Sequence, residues 1–592
     1  MERIELAEDT VISAENRDNA DGEAMNGPEN SRSGMPGGAQ VSTGHREPAS
    51  SVDDRWSADP TQEQELELAA LTAEVTEGTE PTCYKEATQF ECWRQAMREE
   101  YHSLKRNETW QLCTYKTTEA LRAKPIGCKW VYKVKRNPDG SHRYKARLVI
   151  KGYEQTNFGE TFAPVAKLTS FRLLVAFAAE KDWKIDHLDV VAAFLNPVVD
   201  EDIYMELPEG ADWLESDKTE LSSTICKLKK ALYGLKTAPR LWYRDIDTYL
   251  KLIGFIQSNA DPNLYLWNDC RLLLYVDDIL LAYPRSSNIS HIKQLLVMKY
   301  QMTDLGTARQ FLGIEIEQSH NEISINQSQY IRTVLRRFNM EDCNSVTTPL
   351  ERGHMLHACD PKSVVEPAKV RLYQSILGSL MYIMLATRPD LAYTISVLGR
   401  HSVCPTTNHL TAAKRALRYL KGTSTLRLRY ASEYCHDMHG FSDSDWGGDL
   451  QDRKSTGGYV FLYSGAAISW KSKKQTGVSL STLEAEYVAS SNAAKEAIWL
   501  RRLYAEITGR DTDRPTTIYL DNTGSIKNTK NQQINERTKH IDIRYHFVRH
   551  SVETGAIEVR HVPTAEMTAD IMTKALPKEA HQRHVTAMGC RD

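Results

Sequence analysis

The stretch Leu272-Leu273-Leu274-Tyr275-Val276-Asp277-Asp278-Ile279-Leu280-Leu281 decides how the rest of the chain is read. Two adjacent carboxylates stand between two apolar runs, a setting that ordinary surface does not produce. Apolar runs on either side of a short polar break predict a β-hairpin with the acids at its tip. Like charges so placed raise each other's pKa unless a cation neutralises them. Mg²⁺ prefers hard carboxylate oxygens and substrate phosphates. The hairpin therefore points to phosphoryl transfer on a nucleotide.

A site that holds two metal ions roughly 4 Å apart needs a carboxylate from a second strand. Asp189 supplies the candidate, inside Leu188-Asp189-Val190-Val191-Ala192-Ala193-Phe194. A lone Asp at that position also suits a strand end; the paired acids downstream favour the catalytic reading. Upstream, Trp130–Lys135 and Tyr144–Ile150 flank Asn137-Pro138-Asp139-Gly140 and predict a second hairpin. It carries Lys133, Lys135, Lys145 and Arg147, cations suited to a triphosphate or to template phosphate. Helices are predicted over 170–180, 240–253, 290–300, 327–338 and 369–386, and a strand over 185–191.

A second set of acids follows residue 440. Phe441-Ser442-Asp443 ends a short strand, and two further strands follow at 456–462 and 467–470. Glu484-Ala485-Glu486-Tyr487 opens a long helix, Ile518-Tyr519-Leu520-Asp521 is another strand ending in an acid, and Thr568-Ala569-Asp570-Ile571 precedes a final helix. Acids at strand ends and on helix faces can converge to hold two metals and activate water against a phosphodiester. Glu484 and Glu486 point to nearly opposite helix faces, so one of them is a ligand. The Ala-Glu-Tyr context favours Glu486. His546 and His550 have metal-pair spacing, but no Glu or Cys completes a zinc set.

At 592 residues, 41% of them hydrophobic, the chain predicts two to four domains. No uninterrupted apolar run reaches the roughly 18 residues of a spanning helix, so no membrane partner is expected. The N-terminus lacks the pattern of a secretory signal. Eleven scattered cysteines without a Cys-x-x-Cys pair fit a reducing compartment and argue against a zinc ribbon or disulfide framework. The net charge of −4 hides an acidic tract: residues 1–80 carry 19 Asp and Glu against 5 Arg and no Lys. The remainder is net basic, which is permissive for nucleic acid and equally compatible with a solvated surface. Residues 1–60, rich in Gly, Ser, Asn, Asp, Glu and Pro, are predicted to be disordered, with order beginning near Tyr84.

Four stretches carry a resemblance: residues 188–196, Ile203-Tyr204-Met205-Glu206-Leu207-Pro208-Glu209-Gly210, Leu232-Tyr233-Gly234-Leu235-Lys236-Thr237-Ala238-Pro239-Arg240, and Tyr275-Val276-Asp277-Asp278. In this order they resemble the reverse transcriptase of copia-type retrotransposons. Lys454-Ser455-Thr456-Gly457-Gly458, Trp470–Gln475 and Arg537–Asp542 are similar to the RNase H domain of the same family. The resemblance, over roughly residues 84–580, implies an α+β right-hand polymerase with fingers, palm and thumb, followed by an α/β RNase H-like domain. It implies a disordered acidic linker at 1–82, fingers and palm at 83–325, thumb or connection helices at 326–435 and the RNase H-like domain at 436–592.

It implies Mg²⁺, two ions per site with Mn²⁺ as a substitute, held by Asp189, Asp277 and Asp278 in one site and by Asp443, Glu486, Asp521 and Asp570 in the other. Phe194 matches the aromatic that blocks a ribose 2′-OH, with a core Phe as the alternative. Gly234 matches a loop that packs on nucleotide and template, with an ordinary turn as the alternative. Lys133, Lys145 and Arg147 fall where fingers cations bind the triphosphate, and residues 303–306 and 311–316 resemble the segment that holds the primer terminus. The implied partners are RNA template, DNA primer, RNA–DNA hybrid and dNTPs; the implied location is the cytoplasm, in a virus-like particle, with a nuclear stage allowed. Pro197, Thr237 and Asn535 depart from the family's usual residues, and Ala565 stands where many cellular RNases H carry a mobile His. The chain looks like the C-terminal part of a Pol polyprotein or a truncated copy, which leaves a non-catalytic nucleic-acid-binding relic as the alternative to an active enzyme.

Overall fold

Val276 and Asp277 form the two-residue turn of the expected hairpin, because Tyr275 pairs directly with Asp278. Its strands are Cys270–Tyr275 and Asp278–Pro284. The second of these pairs antiparallel with Trp183–Val190, and the register sets Asp189 opposite Asp278. Met302–Thr307 extends the sheet beyond Trp183–Val190, while Leu264–Trp267 and Ile256–Gln257 extend the other edge. Side chains alternate between faces along a strand. Leu188, Leu272, Leu274, Ile279 and Leu281 therefore meet the helix Ala238–Leu252, whereas Ile185, Leu273, Leu280 and Ala282 meet the helix Leu168–Glu180. Burial on both faces is why these strands read as unbroken apolar runs.

The computed structural model describes residues 80–114, 124–136, 142–156, 158–211, 224–353, 356–360, 366–434, 437–510, 513–530 and 542–592. Most of the acidic tract, the turn at 137–140, and Asn535 with the stretch 537–541 lie outside them. The fingers hairpin is the ladder Cys128–Arg136 with His142–Ile150. The helix Glu91–Arg106 packs on it through Trp93, Met97, Tyr101 and Leu104. No helix among the described residues is long and apolar enough to cross a membrane.

Beyond the palm, a sheet combines Gln310–Phe311, Ile314–Ser319, Glu322–Asn326, Arg427–Ala431 and Cys590–Arg591. It draws strands from both sides of the divisions at 325/326 and 435/436. The helices Ser328–Arg337, Pro367–Ala386, Ala392–Gly399 and Thr407–Gly422 share a core of Ile331, Tyr373, Ile376, Leu380, Leu398 and Leu417. Here the cysteine expectation needs a correction: Cys359 and Cys404 form a disulfide with Cα atoms 6.0 Å apart. Cysteines 45 positions apart carry no short-range spacing pattern, so the sequence gives no warning of the pair.

The C-terminal sheet runs in the order Ala466–Lys474, Thr456–Tyr463, His439–Ser444, Thr516–Leu520, Ile557–His561, antiparallel on one side of His439–Ser444 and parallel on the other. The long helix Thr482–Thr508 packs on this sheet, opened by the Ser481 hydroxyl and closed by Gly509 in the left-handed region. The chain thus adopts the α+β class read from the sequence, a polymerase palm followed by an RNase H-like sheet. The two are joined by one apolar core that runs through Leu168–Glu180 to Val460, Phe461 and Ile468. Arg172 pins this junction from the palm helix. Its guanidinium donates to the carbonyls of Ile468 (2.7 Å) and Leu385 (2.7 Å) and lies 4.0 Å from the centre of the Trp470 ring. A helix flanked by sheets on both sides is apolar all round rather than striped, and Leu168–Glu180 follows that rule.

Candidate catalytic sites

The hairpin tip is held against strain. Val276 has φ +55°, a left-handed conformation that disfavours L-residues by about 1–2 kcal/mol. The Trp242 indole N–H donates to the Val276 carbonyl at 2.7 Å, and the Val190 amide donates to the Asp277 carbonyl at 2.8 Å. These bonds fix where Asp277 emerges. Directly opposed residues of an antiparallel pair have Cβ atoms about 4.5–5.5 Å apart on one face, so Asp189 and Asp278 are neighbours. His187, two residues before Asp189 on the same face, places Nε2 2.7 Å from Asp278 Oδ1. Burial raises the pKa of Asp277, and the charges of Asp278 and Asp189 raise it further, with Arg147 opposing.

Around these acids stand the other residues singled out from the sequence. Ala192, with φ +52°, turns the chain out of its strand into the short 3-10 turn Ala193–Leu195. The Phe194 ring then meets Tyr233 edge-on at 5.2 Å. The Arg147 guanidinium lies 4.6 Å from the centre of the same Tyr233 ring. Lys133 faces Lys145 across the fingers ladder. The charges of Lys145 and Arg147 both act on Glu100, whose carboxyl burial pushes upward. Arg147 is the fingers cation whose charge reaches Asp277.

Gly234 has φ +95°, and a Cβ there would overlap the carbonyl oxygen of Ile150. The Ile150 amide donates to the Tyr233 carbonyl at 2.9 Å, so this loop is where fingers and palm touch backbone to backbone. Gly234→Ala adds left-handed strain of about 1–2 kcal/mol and overpacking of about 1–3 kcal/mol, part of which the neighbours relieve by shifting. The expected result is a loss of roughly 2–4 kcal/mol in urea unfolding; a loss under about 1 kcal/mol would show that the contact relaxes freely.

The second set of acids converges more tightly. Asp443 lies near the end of its strand, Glu486 in the opening turns of the long helix, and Asp521 just after its strand. Oxygens of these three lie within 4.8 Å of one another. Glu486 is 6% exposed, and its Oε2 has no hydrogen-bond partner. A buried carboxylate with an oxygen that has no hydrogen-bond partner, grouped with two other acids, fits a divalent cation. Burial raises Glu486 strongly, and the charges of Asp443 and Asp521 add to it. Asp521 accepts from the Thr564 hydroxyl at 2.9 Å.

Asp570 joins from the 3-10 turn Thr568–Met572. Its Oδ1 lies 2.9 Å from Lys574 Nζ, which is also 3.6 Å from Asp443 Oδ2. The Thr573 hydroxyl donates to that same Asp443 oxygen. Burial, then the charge of Asp443, raises Asp570, with Lys574 opposing. Glu484 is engaged elsewhere, accepting from the Leu480 amide at 2.7 Å at the start of its own helix.

Among the described residues, Asp443, Glu486 and Asp521 are the one group of potential metal ligands drawn so close. Asp189, Asp277 and Asp278 share an end of their sheet, with Asp278 held by His187. His546 and His550 belong to no such group among the described residues. Lys474 is tied to Asp449 at 2.7 Å and Asp452 at 2.9 Å, which argues for a structural role. Sequence reading missed His187, Thr573 and Lys574. The i, i+2 pair His187/Asp189 in a strand and the i, i+4 pair Asp570/Lys574 were the available signals.

Residues 107–352 match the family described as reverse transcriptase (RNA-dependent DNA polymerase). The chain is 41% identical over 501 residues to the retrovirus-related Pol polyprotein from transposon TNT 1-94 of Nicotiana tabacum, covering 82% of this chain and 36% of that protein. It is 34% identical over 320 residues to a putative transposon Ty5-1 protein of Saccharomyces cerevisiae, covering 52% of this chain and 100% of that protein. A solved structure of the foamy viral protease-reverse transcriptase in complex with double-stranded DNA aligns with a TM-score of 0.45 at 14% identity, covering 84% of this chain and 73% of that one. The chain spans about a third of the length of the retrovirus-related Pol polyproteins it matches.

Proposed function

The chain belongs to the copia-type retrotransposon Pol family, as its reverse transcriptase and RNase H portion, and on that premise we propose that it copies element RNA into DNA by two-metal nucleotidyl transfer and cleaves RNA in the resulting hybrid. The observation that carries this reading is the register that sets Asp189 opposite Asp278, with Asp277 at the turn between the hairpin strands. Asp189, Asp277 and Asp278 would hold the ions of the polymerase site, and Asp443, Glu486, Asp521 and Asp570 those of the nuclease site. Mg²⁺, or Mn²⁺ in its place, supplies charge neutralisation at the reacting phosphate when bound.

The protein's own residues do the rest. Arg147, backed by the Tyr233 ring and close enough to act on Asp277, offers a fixed cation to the triphosphate; Lys133 and Lys145 extend that charge along the fingers ladder. Gly234 lets its loop close against Ile150 of the fingers strand, and that loop is the one offered to nucleotide and template. Phe194, braced by Tyr233, narrows the space a ribose 2′-OH would need. The partners are RNA template, DNA primer, RNA–DNA hybrid and dNTPs. The location that goes with this reading is the cytoplasm within a virus-like particle, a nuclear stage being allowed.

The test is one combined assay: the purified chain, Mg²⁺, a DNA primer and a labelled RNA template. Primer extension together with loss of the RNA strand supports the reading. Salt-sensitive binding of the hybrid without synthesis or cleavage establishes the non-catalytic relic instead. Phe194→Val opens the sugar pocket, and a lost steric contact of this kind is worth about tenfold or more in discrimination. The rNTP to dNTP incorporation ratio should rise accordingly; an unchanged ratio makes Phe194 a core residue.

A further inference from the structure

Lys574 stands just past the turn Thr568–Met572, beside Thr573, whose hydroxyl already binds Asp443. Its ammonium lies between Asp570 (2.9 Å) and Asp443 (3.6 Å). The four acids thus divide into two cation places. Asp443, Glu486 and Asp521 converge on one, and buried Glu486 carries an oxygen without a hydrogen-bond partner. Asp443 and Asp570 meet across an ammonium at the other. We propose that Lys574 is a positioning residue that fills the second cation place, so that the site takes one divalent ion freely and a second by turning Lys574 out. The proposal rests on the RNase H reading above.

Charge explains the arrangement. Four carboxylates facing one ammonium and one divalent ion are nearly neutral in sum. A second divalent ion beside the ammonium would put like charges at contact range, which disfavours both. An arriving phosphodiester adds negative charge and restores the demand for a second cation. The Lys574 side chain is 41% exposed, so it has an open route to solvent. Lys574 thereby couples binding of the second ion to the presence of substrate.

The test counts ions bound by the full chain. Mn²⁺ is titrated into metal-free wild type, Lys574→Gln, Lys574→Met, Lys574→Arg and Glu486→Gln, with free Mn²⁺ read by electron paramagnetic resonance. The polymerase site contributes equally to every count. Lys574→Gln should bind one further ion, or hold its weakest ion about tenfold or more tighter, while Lys574→Arg stays at the wild-type count. Lys574→Met serves the same purpose if the Gln variant does not fold, as judged by its thermal transition. Equal counts and affinities in wild type and Lys574→Gln, with an ion lost in Glu486→Gln, overturn the proposal and leave the site reading standing. No ion lost in Glu486→Gln overturns the site reading itself.

Discussion

Asp277→Asn is expected to lower RNA-templated primer extension by about a thousandfold or more, the equivalent of ~4 kcal/mol in the barrier. The substitution keeps the size of the side chain and the turn bonds from Trp242 and Val190, so the hairpin keeps its shape. Stability moves the other way. Burial, Asp278 and Asp189 raise the folded-state pKa of Asp277 above its unfolded value. The stability tied to that shift is present below the ordinary carboxylate range and is lost as pH rises through the raised value. At neutral pH without metal the ionised acid is therefore a burden that Asn removes. A variant that melts no lower than wild type yet cannot extend a primer separates a catalytic acid from a structural one. Extension at the wild-type rate in Asp277→Asn would remove the polymerase assignment.

Asp443→Asn is the matching expectation for the second site. Asp443 is shared by the close group with Glu486 and Asp521 and by the contact with Lys574. Its loss should reduce cleavage of the RNA strand by about a thousandfold and leave primer extension within roughly twofold, since it has no part in the polymerase site. It should also change how metal-free stability depends on pH. Glu486 and Asp570 are both raised, by burial first and by the charge of Asp443 next. Wild type should melt at progressively lower temperature as pH climbs above the carboxylate range, and Asp443→Asn should flatten that fall. Saturating Mg²⁺ should flatten it in wild type as well, because binding to the folded state offsets the repulsion. A slope identical in both proteins would show that Asp443 is electrostatically isolated from the other two.

The hairpin was legible because its strands are buried on both faces, so leucines run without interruption up to two acids. Asp189 was legible from the apolar run Val190–Phe194 that follows it, although its strand also carries Lys184, Asp186 and His187. Its alignment with Asp278 was not, since register depends on where the neighbouring strand enters the sheet. Met302–Thr307 pairs with the same strand but lies largely exposed, and its polar text gives no strand signal. Leu168–Glu180 read as a helix, yet nothing in its pattern said that two sheets would enclose it. Gly234 read as part of a loop packing on nucleotide and template, with an ordinary turn as the alternative; its close approach to Ile150 is set by a strand more than eighty positions away. Lys574 was hidden because a Lys four residues after an Asp is ordinary helix-surface chemistry, and here it falls among acids drawn from four separate elements.

The helix Leu168–Glu180 is walled on one flank by the polymerase sheet and on the other by strands from the C-terminal part, whose neighbouring sheet is completed by Cys590–Arg591. That second wall is assembled from strands that follow the helix at widening intervals, Glu322–Asn326, Arg427–Ala431 and Ala466–Lys474. A chain ending before residue 460 would still lack Ile468, whose carbonyl Arg172 binds, and the Trp470 ring beside it. The core beneath the first set of acids is therefore completed by residues nearly three hundred positions further along the chain.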